Sequence, residues 1–413
     1  MLNLFNRKRR FRETQLLTDA SFTANDLGGW SVAMSADGNT AVFGAPYFTS
    51  GGILFRGCVR VWTRSGLTWS LQQQLTQPTS AAQNQFGHSV SLSSDGNTLA
   101  VGSRYTNGAR GSVTIFSRSG STWTTQATVV GAVTVSGDEF GTSVSLSGNG
   151  NKLAVGAPES SYLSTGEGIV VMYSRTGSTW SEIGNIFPSY VGLPGSTIVK
   201  KFGYSVSISG DGNTLAIGAP TSRFAPSTAS QGTCHTYNIS SGFVNQSNLT
   251  NTAYSTGSDY FGWSVSANYD GTRVAVGAQA DSGALTASGS CAIIVKSGST
   301  WSIEAYLTHS AATTSANFGW SVSLNNSGNI LAVGSLDWTG PAGAEQGATT
   351  IFTRSNSSWL ENQTLTKGAA AANDNFGYAV ALSGSGDSLI VGTTFDDVGA
   401  DTDEGSATIF YRR

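Results

Sequence analysis

The chain has 413 residues and a net charge of -3, with 11% of its residues charged against a usual ~25%. That balance argues against bulk nucleic-acid binding, and no apolar run approaches the ~20 residues needed to cross a bilayer. Ser, Thr, Asn and Gly take the place of charge, as is common in extracellular and virion β proteins. Cys58, Cys234 and Cys291 are the three cysteines; they form no CxxC pair and read as small buried hydrophobes.

Residues 1–10 are a basic lead ending in Arg7, Lys8, Arg9 and Arg10, without the apolar core of a signal peptide. Residues 11–18 read as a strand. From there one phrase recurs seven times: Phe-Gly, an alternating small and apolar run, a tight Gly turn, then Gly-Ala-Pro. Its cleanest copy runs from Phe202-Gly203 to Gly218-Ala219-Pro220. The second residues of the opening pair are Gly29, Gly87, Gly141, Gly203, Gly262, Gly319 and Gly377, separated by 58, 54, 62, 59, 57 and 58 residues. A fixed period of this size marks a propeller or solenoid.

Each unit reads as four strands. In the second unit, Ser89–Ser93 alternates with period two. The Asp95-Gly96 turn follows, because Gly accepts positive φ. Thr98–Val101 is a continuous apolar run, fitting a strand covered on both faces. A variable loop leads to Gly111–Phe116, and the hairpin Arg118–Trp123 leads to the fourth strand. Small residues in the first strand suit blades that converge on an axis, where bulky side chains are expected to collide. The last unit stops after its third strand, at Arg413, and residues 11–18 supply the missing fourth strand. The expectation is therefore an all-β fold: a seven-bladed β-propeller of four-stranded antiparallel blades over residues 1–413, with the N-terminal strand closing the seventh blade.

These residues resemble the FG-GAP repeat family, whose best-known members are the propellers of integrin α subunits. Phe202-Gly203 with Gly218-Ala219-Pro220 and Phe140-Gly141 with Gly156-Ala157-Pro158 match both halves of the phrase. Gly28-Gly29 replaces Phe-Gly in the first copy. The resemblance implies a scaffold for adhesion or ligand binding. Family members often carry a calcium loop between the first two strands. Here that connection is a tight turn with at most one Asp, so calcium is not carried over and the Asp residues read as turn formers.

The turns between the first and second and between the third and fourth strands repeat closely and read as structural. The connections on the opposite face vary strongly, and such loops are where binding sites usually lie. The residue after each Phe-Gly is Trp30, His88, Thr142, Tyr204, Trp263, Trp320 or Tyr378. Symmetry places these in a broken aromatic ring around one channel mouth, either stacking on a ligand or packing under the next blade. Trp338, in a variable loop, is a further candidate. Asp396, Asp397, Asp401, Asp403 and Glu404 gather in the last variable loop, as a calcium site or as a solvated acidic loop. Arg64/Trp69, Arg118/Trp123, Arg175/Trp180, Arg354/Trp359 and Lys296/Trp301 suggest cation-on-ring stacking across hairpins. Blade closure brings Arg7, Lys8, Arg9, Arg10 and Arg12 beside Arg412 and Arg413, as a solvated edge or a dock for an acidic partner.

No nucleophile elbow, P-loop or zinc motif occurs, and His88, His235 and His309 lie in different repeats. The expected function is that of a non-enzymatic virion component without metal or cofactor: a bacteriophage tail, fibre or capsid-decoration protein. Its partners would be other virion proteins or a host-surface glycan or protein, with no nucleic acid, no membrane insertion and possible oligomers in an assembly. A bacterial surface or secreted adhesin and a carbohydrate-active enzyme with an unrecognised site are the alternatives.

Overall fold

The computed structural model describes all residues except 1–8, 79–82, 191–192, 194–196, 225–228, 241, 252–256, 283–284 and 399–401. Seven four-stranded antiparallel sheets follow one another along the chain, each in the strand order of the sequence. The second blade, for example, comprises Ser89–Leu92, Thr98–Ser103, Ser112–Ser119 and Thr122–Val129. The seventh comprises Phe376–Leu382, Ser388–Thr393, Ser406–Arg412 and, as its outer strand, Phe11–Leu17. Phe11 lies opposite Arg412 and Leu17 opposite Ala407, with a bulge between Glu13 and Gln15. The architecture and its closure are those expected from the repeats. A two-stranded pair, Thr197–Ile198 with Arg223–Phe224, and a helical turn at Thr106–Ala109 were not.

The repeated phrase encodes the contact between blades. The second strands are buried along their whole length in five blades, as at Thr214–Ala219, and but for the first residue, Lys152 or Arg273, in the other two, because sheet neighbours cover their edges and adjacent blades cover their faces. The Phe of each Phe-Gly pair (Phe86, Phe140, Phe202, Phe261, Phe318 and Phe376) is fully buried, a gain of about 2 kcal/mol apiece. In the first blade, Phe22 supplies the missing ring: a Cβ on Gly28 would lie 2.6 Å from its Cε2. The glycines face each other across the seams. A Cβ on Gly218 would lie 1.9 Å from the carbonyl oxygen of Gly262, and the other six seams repeat this at 1.9–2.1 Å. Gly262 itself has φ +90°, in the region that favours glycine.

The first strands do not avoid bulk at the axis. Because side chains alternate, the aromatic residue, the Val and the Leu, Ile or Met of each first strand share one face, and the serines share the other. The serines face the neighbouring blade and bond to it. Ser31, Ser89, Ser143, Ser205, Ser264 and Ser321 each donate Oγ–H to the Phe-Gly glycine carbonyl (Gly-Gly in none of these) of the next blade, at 2.7–2.9 Å. Ser91, Ser145, Ser207, Ser266 and Ser323 accept from a backbone N–H of the next blade at 2.9–3.0 Å. Large side chains therefore occupy the axis in layers, and small ones bind the seams.

At the lower mouth a closed circle of seven backbone bonds surrounds the axis. Ala36 N donates to Ser94 O, Ser94 to Gly148, Gly148 to Gly210, Asp211 to Tyr269, Tyr269 to Asn326, Asn326 to Gly384, and Gly384 back to Ala36, all at 2.8–3.0 Å. The sense is the same throughout. It slips by one residue at Asp211, where the Tyr269 ring lies against Gly210. Met34, Leu92, Leu146, Ile208, Leu382 and Tyr269 line the depression of about 150 Å³ at this mouth.

Candidate functional site

The upper face carries the variable loops. There, six of the seven residues that follow the opening pair form a continuous arc. Ring centroids are 5.6 Å apart for His88–Trp30, 4.8 Å for Trp30–Tyr378, 5.5 Å for Tyr378–Trp320, 4.9 Å for Trp320–Trp263 and 4.7 Å for Trp263–Tyr204. Thr142 is the gap. These distances are those of rings packed on one another, and all six residues are half-buried. Burial pushes the Tyr204 and Tyr378 hydroxyls above their ordinary range. Burial, reinforced by Arg104, holds His88 well below its usual value, leaving a neutral ring. Trp338 is not part of this arc. It donates to the Ala311 carbonyl at 3.0 Å and lies 5.7 Å from the His309 ring.

Beside the Thr142 gap the mouth is charged. Arg104 stands where three other repeats have Pro; it pairs with Glu139 at 3.7 Å and donates to Gln85 at 2.9 Å. Lys201 pairs with Glu159 at 2.6 Å. Burial raises Glu139 despite the opposing Arg104 charge. Outward from this cluster a groove of about 380 Å³ runs between the third and fourth blades, lined by Glu159, Thr165, Ile198, Lys200, Lys201 and Arg223. The Thr197–Ile198 and Arg223–Phe224 pair forms one wall. Tyr162, Leu163, Tyr190 and Ile198 are exposed in the same loops. Three cations against one carboxylate suit a ligand that carries negative charge, and the apolar groups suit one with a flat hydrophobic face. None of these groove residues stood out in the sequence. Their signal lies in aligned positions: Glu139 and Lys201 directly precede Phe-Gly, and Glu159 directly follows Gly-Ala-Pro.

Three stretches, residues 69–116, 123–169 and 359–410, match the FG-GAP repeat. The chain carries FG-GAP repeats in these stretches, within a ring of seven like blades. No curated protein matches it in sequence. Among solved structures, a chain in "Crystal Structure of Mitotic Checkpoint Complex" is similar over 98% of this chain and 93% of its own, with a TM-score of 0.54 and 14% identity. At that identity the likeness is one of fold alone. An FG-GAP propeller is a scaffold for binding and interaction, and its specificity lies in the loops between the repeated phrases.

The turn aspartates of the FG-GAP units are held by their own turns. Asp211 accepts from Ser209 Oγ at 2.5 Å, Asn213 N at 3.0 Å and Asn213 Nδ2 at 2.9 Å. Asp37 and Asp95 repeat the pattern. Partial burial pushes these two carboxyls up, and the turn bonds outweigh it, leaving both below the usual range.

The acidic loop of the last repeat does not act as one group. Asp396 is buried and ion-paired with Lys367, Asp397 accepts from Asp403 N at 3.0 Å, and Asp401 lies outside the described residues.

The hairpin stacking expected at five sites is present at three: Arg118 on Trp123, Arg175 on Trp180 and Lys296 on Trp301, at 5.3, 5.5 and 5.8 Å. Arg64 instead covers Tyr411, the ring the closing blade places beside it, and Arg354 is drawn to Glu304 at 2.6 Å. Closure does gather the basic edge. Arg10 and Arg413 exchange backbone bonds at 2.8 and 2.9 Å, and the Arg9 side chain is 69% exposed, 3.9 Å from Asp387. Arg12 and Arg413 are exposed and Arg412 is half-buried; Arg7 and Lys8 lie outside the described residues. Cys58, Cys234 and Cys291 are buried free thiols, each pushed up to about 12 by burial.

Proposed function

We propose that this protein is a non-enzymatic recognition component of a virion, which binds an acidic surface glycan through the groove between its third and fourth blades. The observation that carries this reading is the groove itself: Lys200, Lys201 and Arg223 beside exposed Ile198, in a space of about 380 Å³, within the size range of small-ligand sites. Exposed Tyr162 and Tyr190 in the adjoining loops offer faces for sugar rings. The basic edge at Arg9, Arg10, Arg12, Arg412 and Arg413 lies at the closing blade, and we assign it to attachment on an acidic virion protein. The virion setting rests on composition, rich in hydroxyl and amide side chains and poor in charge.

Binding to arrayed glycans tests the proposal. Uronic- or sialic-acid glycans are expected to bind, with neutral analogues weaker by tenfold or more, about 1.4 kcal/mol. Lys201→Ala with Arg223→Ala is expected to abolish the preference while the melting temperature is kept. Equal binding of neutral and acidic glycans, or none of either, would rule the proposal out. Trp263→Ala is expected to lower stability first, because its ring packs between Tyr204 and Trp320.

A further inference from the structure

Beneath the upper face, three blades gather a pair of carboxylates, and two of the three also bury a cation to match. In the first blade, Asp19 and Asp26 are served by Arg60, whose side chain is fully buried and whose Nε lies 2.6 Å from Asp19. In the seventh, Lys367 is ion-paired with Asp396 and lies 3.8 Å from Asp374, and Ser406 Oγ donates to Asp396 at 2.5 Å. The fifth blade repeats the seventh position by position. Asp259 and Asp374 each stand two residues before Phe-Gly, Asp281 and Asp396 each stand three residues after the second strand, and Ser290 matches Ser406. Ser290 Oγ donates to Asp281 at 2.5 Å, as Ser406 does to Asp396. The difference is at the position of Lys367, where the fifth blade has Asn251.

Asn251 is 1% exposed and donates Nδ2–H to Asp281 at 3.0 Å. It brings no charge. Asp259 is 1% exposed, and its Oδ2 has no hydrogen-bond partner. A buried carboxylate with an unpaired oxygen and no counter-charge is costly enough that it either takes up a proton or holds a cation. Burial and the neighbouring Asp281 push Asp259 up to about 7 when nothing else is bound. Among the described residues no group of three or more His, Cys, Asp and Glu side chains gathers as a metal centre. The donors here are two carboxylates with a hydroxyl and an amide. All are oxygens once the Asn251 amide is turned, and amide orientation is fixed only by its surroundings.

We propose that the fifth blade binds calcium between Asp259 and Asp281, with Ser290 and Asn251 as neutral oxygen ligands, in the place that the Lys367 ammonium fills in the seventh. Four side-chain oxygens leave room for the water and backbone ligands that complete a set of six to eight. The site lies near the upper face, at the opposite end of the blade from the Asp270 turn.

Melting of the full chain in calcium and in chelator tests this. Calcium is expected to raise the melting temperature of the wild type by about 3 °C or more and to leave Asp259→Asn unmoved. Asn251→Lys rebuilds the arrangement of the seventh blade. It is expected to melt above the wild type in chelator and to ignore calcium. No calcium response in the wild type, or a response that survives both substitutions, overturns the proposal. So does a wild-type melting temperature that ignores calcium but falls as pH rises from about 4 to about 7, with Asp259→Asn flat; that outcome means a shared proton.

Discussion

A single glycine shows how tightly the blades are set. At Gly218, in a strand paired on both edges, an added methyl group meets the Gly262 backbone carbonyl, itself held by Ser205 Oγ, at 1.9 Å. Gly218→Ala is expected to cost about 3 kcal/mol or more in urea unfolding. Gly120→Ala, in an open hairpin turn with nothing within 4 Å, is expected to cost about 1 kcal/mol for its left-handed backbone alone. Equal costs would remove the seam contact as the reason for the motif. A second residue ties stability to pH. His235 is fully buried between Thr233 Oγ1 at 2.9 Å and Asn248 Oδ1 at 2.7 Å. Burial lowers it to about 4 against the opposing Asn248 bond. The unfolded chain takes up this proton near pH ~6.5 and the folded chain only near 4, so stability falls as pH drops through that window, by about 3 kcal/mol. Thr114, Thr350 and Thr408 occupy the same place in other blades. His235→Thr is expected to flatten the acid slope of the urea midpoint.

At the scale of one strand, the decisive element is Phe11–Leu17. It covers the edge of Ser406–Arg412, and Phe11 and Leu17 are buried in the core. Deleting residues 1–18 uncovers that edge and those apolar neighbours. The truncated chain is expected to melt lower and to associate through the open edge, and a peptide of residues 9–18 is expected to restore the monomer. Gel filtration and melting curves check this; an unchanged monomer would show that the strand contributes little. This element was legible because the last repeat is one strand short and the first residues match what it lacks. The strands of the seams were less legible. Ser-Val-Ser-Leu announces a half-buried strand, but its hydroxyls bond to residues more than fifty positions away. No local pattern marks such partners. The seam between the seventh and first blades has Ala379 and Ala381 where the second to sixth blades have serines, and the first blade keeps one of the two, Ser31.

For the whole molecule, the blade count was readable because copies of one phrase stay in phase. The groove was not, because it is built from what departs from the phrase: Lys201 before one Phe-Gly, Glu159 after one Gly-Ala-Pro, and Arg223 in a loop with no counterpart. Aligned repeats show where a site can lie, and the folded ring shows which unlike residues meet there. The circle of seven amide bonds around the lower mouth has a consequence of another kind. Each blade gives one N–H to its neighbour and takes one from the other side. A ring so made behaves as a count, not a length. Losing a repeat leaves the remaining six to span a circumference set for seven, and gaining one forces a bond to open. Single substitutions can therefore diversify the loops while whole-unit duplication or loss is blocked, and novelty in this chain enters residue by residue.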